Sequence, residues 1–194
     1  MAKSIVFIDT EVGVDDHKIH DIGAVRQDRA YFHSASVRNF VEFIAGAEYI
    51  CGHNILHHDL KYIHDSLGYE LRVTVIDTLY LSPLLFPKRP YHALLKDDKL
   101  QTEQLNDPVN DCQKAASLFY DEVNAFFDLP PKVKQIFCCL LYDHPEFSGF
   151  FQYVNFRPYK AKIYELIHME YEGRICTNAD LLPLILSLIH RRGC

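Results

Sequence analysis

Four acidic side chains stand in three short contexts that could do chemistry together. Asp9 and Glu11 lie in Phe7-Ile8-Asp9-Thr10-Glu11, Asp59 ends the run that begins Gly52-His53-Asn54, and Asp111 follows Asn106-Asp107-Pro108-Val109-Asn110. The first pair closes an apolar run, Ser4-Ile5-Val6-Phe7-Ile8, that reads as a buried strand. Residues two apart on a strand face the same side, so Asp9 and Glu11 project together. With Asp59 and Asp111 brought to that strand end, four carboxylates make an oxygen-only pocket suited to Mg²⁺ or Mn²⁺. Two such ions, about 3.5–4 Å apart, are a platform for phosphodiester hydrolysis, activating water and stabilising the leaving oxygen.

Each acid also has a plainer role. An Asp-x-Glu after an apolar run is a common strand end, and an acid in the first turns of a helix favours the macrodipole, as Asp59 would. Asp111 could belong to a solvated helix face. The three contexts together, in this order, favour the metal site. His53 and His57 have the i, i+4 spacing that can bind a metal, but no HExxH arrangement accompanies them and a hard-ligand site argues against zinc. Gly52 permits close backbone approach, and Asn54 is expected to cap the helix that presents Asp59. Val12 and Gly13 follow Glu11 where a base and sugar could approach the backbone. With His53 and Asn54 they are the candidate substrate contacts.

The elements that must position these residues follow from periodicity. Strands are expected over Ser4–Val12, His17–Arg26, Ala30–His33, Tyr49–Cys51 and Arg72–Ile76. Apolar spacing predicts a helix over Ser36–Ala45, closed by Gly46, and another over Asn54–Leu67, ending at Gly68. An irregular helical stretch broken at Pro83, Pro87 and Pro90 precedes a strong helix, capped by Asp107 with Pro108 at its first position, that runs to about Phe127. Three strands followed by alternating helix and strand imply an α/β fold, a mixed five-stranded sheet flanked by helices. After Leu129-Pro130-Pro131 only helices are expected, over Lys132–Tyr142, Tyr159–Tyr171 and Asn178–Arg191. The chain thus divides into residues 1–128 and an all-helical extension, 129–194, read as leading into a longer protein.

The 194 residues suffice for one sizeable core, and an apolar share of 48% excludes a disordered chain. A net charge of −6 provides no global basic footprint for nucleic acid, although a carboxylate-rich metal site is itself negative until cations bind. The six cysteines show no CxxC pair or zinc-finger spacing, no apolar stretch is long enough to span a bilayer, and no signal peptide is evident. Reduced thiols in a cytoplasmic protein are the expectation.

The three motifs resemble those of the DEDD family of 3′→5′ exonucleases, the DnaQ-like, ribonuclease-H-like group that includes the proofreading subunit of replicative polymerases. Phe7–Glu11 is similar to its first motif, Gly52–Asp59 to its second, and Asn106–Cys112 to the frame of its third. His20–Val25 and Val75–Pro87 fit the segments between, so the likeness covers roughly Lys3 to Phe127. More narrowly, Tyr91–Ala115 resembles the exonuclease-like region fused to RecQ-type helicase segments in some bacterial proteins. The resemblance implies a ribonuclease-H-like fold, two Mg²⁺ or Mn²⁺ ions on Asp9, Glu11, Asp59 and Asp111, and hydrolysis of single-stranded 3′ ends, DNA ahead of RNA, with a helicase as partner.

One departure bears on catalysis. In the family's histidine branch the third motif is H-x4-D, with the histidine as general base, and here that position holds Asn106. The tyrosine branch would place Tyr four residues before the Asp, where Asp107 stands. Asparagine can orient water but cannot take its proton, and losing a positioned base costs about 10²- to 10⁴-fold in rate. Asp107 reads as an N-cap rather than a base, and His58 and His92 are the candidate substitutes. The alternatives to a slowed exonuclease are a catalytically inactive nucleic-acid-binding or scaffolding module, or a protein-interaction domain that keeps only the fold.

Overall fold

The computed structural model describes residues 3–92, 94, 107–159, 162–174 and 183. The apolar run after Lys3 forms β1 (Ile5–Val12), which pairs antiparallel with β2 (Ile19–Arg26). A short β3 (Tyr31–His33) adds antiparallel to β2. On the other side of β1 lie β4 (Tyr49–Gly52) and then β5 (Thr74–Asp77), both parallel, giving the order β3-β2-β1-β4-β5. Helix α1 (Val37–Ile44) precedes β4, and α2 (Asp59–Leu67) carries the chain from β4 to β5. Then follow α3 (Thr78–Leu85), α4 (Pro108–Asp128), α5 (Pro131–Leu141), α6 (Pro145–Tyr153) and α7 (Ile163–Glu170). This is the expected α/β architecture, a mixed five-stranded sheet flanked by helices, and it is compatible with a ribonuclease-H-like arrangement.

Central β1 is buried on both faces, and its alternation divides the core in two. Ile5 and Phe7 join Tyr49, Cys51 and Ile76 beneath Phe119 and Phe126 of α4 and Phe150 and Phe151 of α6. Val6 and Ile8 join Ile22, Ala24 and Ile50 against Phe40 and Ile44 of α1 and Leu60 and Ile63 of α2. Each fully buried side chain of this size contributes about 1.5–3 kcal/mol. The period of two therefore assigns Asp9 and Glu11 to the α4 side and Thr10 to the α2 side.

Three local departures from the sequence expectation concern helices, the first being that α3 runs unbroken through Pro83. The helix bearing Asp59 starts at Asp59 itself, with His58 at its cap position, and not at Asn54. Residues 53–58 form turns in which Asn54 takes a left-handed φ of 67°, so it cannot be a helix cap for α2. Helix α6 lies outside the expected helices, because Gly149 interrupts its middle and its nine residues carry a weak pattern. Gly149 is there for proximity: a Cβ would lie 2.0 Å from the carbonyl oxygen of Val75 on β5. Through Phe150 and Phe151, α6 shares a core with β1 and α4. Helices α5 and α7 occupy expected stretches, while the Asn178–Arg191 expectation lies, apart from Pro183, outside the described residues.

Candidate metal centre

Asp9 and Glu11 leave the C-terminal end of β1 on the α4 side, and Asp111 arrives from the first turn of α4. One ligand oxygen from each lies within 4.8 Å of the others, and all three residues are half-buried. The start of α4 is fixed locally. Asp107 caps it, accepting from the Val109 N–H at 2.9 Å, and Pro108 fills the first position, where no N–H is required. It is fixed laterally by Gly23, which faces Asp9 in the β1–β2 ladder and leaves room for the backbone of Pro108 and Val109.

Among the described residues, this trio is the one acid group close enough to share an ion, and Asp59 stands apart from it. Asp59 reaches the same strand end from the α2 side. Its Oδ1 accepts from both the Thr10 backbone N–H (2.7 Å) and the Thr10 hydroxyl (2.8 Å). Burial raises its pKa to about 7 despite those two donors. The neighbouring Cys112 thiol is pushed well up, first by burial and then by the charges of Asp9, Asp59 and Asp111. A half-buried end with this negative field and only carboxylate donors suits a hard divalent cation such as Mg²⁺ or Mn²⁺.

The second motif is held in place by an acid that spacing did not single out. Asp77, fully buried at the end of β5, accepts from the backbone N–H groups of Asn54 (2.9 Å), Leu56 (3.1 Å) and Leu79 (2.9 Å). It pins the turn that leads into Asp59 and caps α3 at once. Of the candidate substrate contacts, Val12 is paired with Ile19, and Gly13 closes the β1–β2 turn through hydrogen bonds with Lys18 and His17. His53 Nδ1 lies 2.9 Å from the Thr78 hydroxyl, and burial lowers its pKa. His57 bonds the Tyr80 hydroxyl at 2.6 Å, so the two histidines have separate partners.

Of the candidate substitute bases, His58 packs edge-on against Tyr62, and His92 lines a cleft beside α4. Asn106 lies outside the described residues. Sequence reasoning passed over Lys114, whose Nζ is 3.3 Å from Asp111 Oδ1. Its spacing of three from Asp111 on an expected helix was the available signal. Gly23 was legible too, as a glycine inside a strand. Cys51, Cys112, Cys138 and Cys139 are free thiols, and no described helix is long and apolar enough to cross a membrane.

No family profile matches the chain, and no curated protein sequence matches it. Among solved structures it is similar to the family B DNA polymerase of the hyperthermophilic archaeon Pyrobaculum calidifontis, at 14% identity and a TM-score of 0.43. That likeness takes in 78% of this chain and 29% of the polymerase chain.

Proposed function

We propose that this chain is a metal-dependent 3′→5′ exonuclease acting on single-stranded nucleic-acid ends, DNA ahead of RNA, and slowed by Asn106. The observation that carries the reading is the convergence of Asp9, Glu11 and Asp111 within 4.8 Å at the end of β1, in a chain whose motifs resemble the DEDD pattern. Those three residues would hold Mg²⁺ or Mn²⁺, which supplies an acidified water and positive charge for the leaving oxygen. Asp59, held by Thr10 at the same strand end, would be the fourth acid of the motif set. Asn106 would orient the attacking water without accepting its proton.

A second reading rests on that same asparagine: a nucleic-acid-binding or scaffolding module, silent in catalysis, that presents DNA ends to a RecQ-type helicase in the cytoplasm. The deciding experiment is cleavage of a 5′-labelled single-stranded DNA with Mn²⁺ by the wild type, Asp9→Ala and Asn106→His. A ladder lost in Asp9→Ala establishes the exonuclease. Wild-type silence with activity in Asn106→His establishes the silent module, and silence in all three removes the nuclease reading.

A further inference from the structure

Beside the acid group, α4 forms one wall of a cleft of about 970 Å³. Its contribution is a single helical face: Asn110, Gln113, Lys114, Ser117 and Leu118, at the spacing of three and four that aligns side chains. The face runs about 12 Å along the helix axis, from beside Asp111 toward the helix middle. The rest of the lining is Ser82 of α3, the segment from Arg89 to His92, and Leu94. Among the described lining residues there are two permanent cations, Arg89 and Lys114, and no carboxylate. In a chain of net charge −6, these two cations bring positive charge to the cleft.

The cations are differently placed. Lys114 is on the side of the acids, 3.3 Å from Asp111. Arg89 follows α3, with its guanidinium over the Phe86 ring at 3.9 Å from the centroid. Stacking uses the flat face of the group and leaves its N–H edge for charge-assisted bonds to oxyanions. Tyr91, between Arg89 and His92 in sequence, is 83% exposed, and an exposed aromatic beside a cationic groove is a platform on which a base can stack. Asn110, Gln113 and Ser117 add neutral donors along the α4 wall.

We propose that this cleft carries the strand upstream of the scissile bond, with Lys114 and Arg89 on successive phosphates and Tyr91 against a base. The ligand is a single-stranded DNA backbone entering from the α3 side, with its 3′ end at Asp9, Glu11 and Asp111. The inference rests on the nuclease reading for the polarity of the strand, but its contacts can be tested without turnover.

The test is fluorescence anisotropy of a 5′-labelled oligothymidylate against the full chain in Ca²⁺, which replaces the catalytic metal, over a series of salt concentrations. Arg89→Ala, which lies outside the acid group, should weaken binding about fivefold, and Arg89→Ala/Lys114→Ala should flatten the salt slope by about 1.4. Tyr91→Ala should weaken binding without changing the slope. Arg38→Ala/Lys61→Ala, on α1 and α2, should bind as the wild type does. Wild-type affinity and slope in both Arg89 variants overturn the cleft, and if the wild type still cleaves, the nuclease reading survives that failure. A wild type that neither binds nor cleaves removes both.

Discussion

Gly23 of β2 lies so close beneath α4 that a Cβ on it would stand 2.4 Å from the carbonyl carbon of Pro108. The same residue faces Asp9 across the β1–β2 ladder. One missing side chain therefore sets the distance between the strand that bears Asp9 and Glu11 and the helix that bears Asp111. Gly23→Ala forces the first turn of α4 to lift, at a cost of about 1–3 kcal/mol. Thermal unfolding should record that loss, and calorimetric titration should record weaker Mn²⁺ binding. Unchanged metal affinity in a folded variant would show that Asp111 does not depend on this contact.

The acid trio should bind metal before any substrate is present. Mn²⁺ at about 100 times its dissociation constant is expected to stabilise the wild type by about 2.7 kcal/mol. Asp9→Ala and Asp111→Ala should lose that gain, whereas a surface change such as Glu42→Ala should keep it. Equal metal-induced shifts in all four proteins would place the ion elsewhere.

Restoring the base tests the third motif. Asn106→His should raise the cleavage rate by about 10²- to 10⁴-fold, with a bell or rising limb near the imidazole range in the pH profile. An active wild type whose rate and pH profile are unmoved by the change would mean that the proton leaves by another group.

Asp77 is expected to matter for the site without touching it. Asp77→Ala leaves the half-buried N–H groups of Asn54, Leu56 and Leu79 short of their acceptor, each at up to about 1 kcal/mol. The variant should unfold at markedly lower urea and lose activity with its stability. A small change in midpoint would show that water reaches those groups.

Glu122 gives the fold a pH dependence. It is fully buried on α4, where burial raises its carboxyl to about 9, against the pull of a 2.8 Å hydrogen bond donated by Ser82. The unfolded carboxyl titrates near 4.5, so between these values the native state holds more protons and stability falls as pH rises. Relative to Glu122→Gln, the wild type should lose about 1 kcal/mol per pH unit between about pH 6 and 8. A melting-temperature gap that stays constant across that range would contradict a retained proton.

Much of this was legible in local pattern. The run from Ile5 to Val12, the glycine that ends α1, and the Asp107-Pro108 opening of α4 depend on neighbours within four residues, which a sequence displays directly. The same period of two put Asp9 and Glu11 on one side of β1. What local pattern could not supply was the conformation of residues 53–58. There the backbone is shaped by Asp77, more than twenty residues away, and Asn54 turns left-handed instead of capping a helix.

Sequence by itself determined the alternation of strand faces, the starts of α1 and α4 and the set of acids available, because these follow from backbone periodicity and capping. Tertiary structure decided how the acids are shared out. Docking α4 over Gly23 brings Asp111 to Asp9 and Glu11, while α2 on the opposite face gives Asp59 to Thr10. It also decided that Lys114 and Arg89, twenty-five residues apart, face one cleft. Such meetings are set by which side of a sheet each helix packs on, and that choice is made by the whole core at once rather than by any segment of the chain.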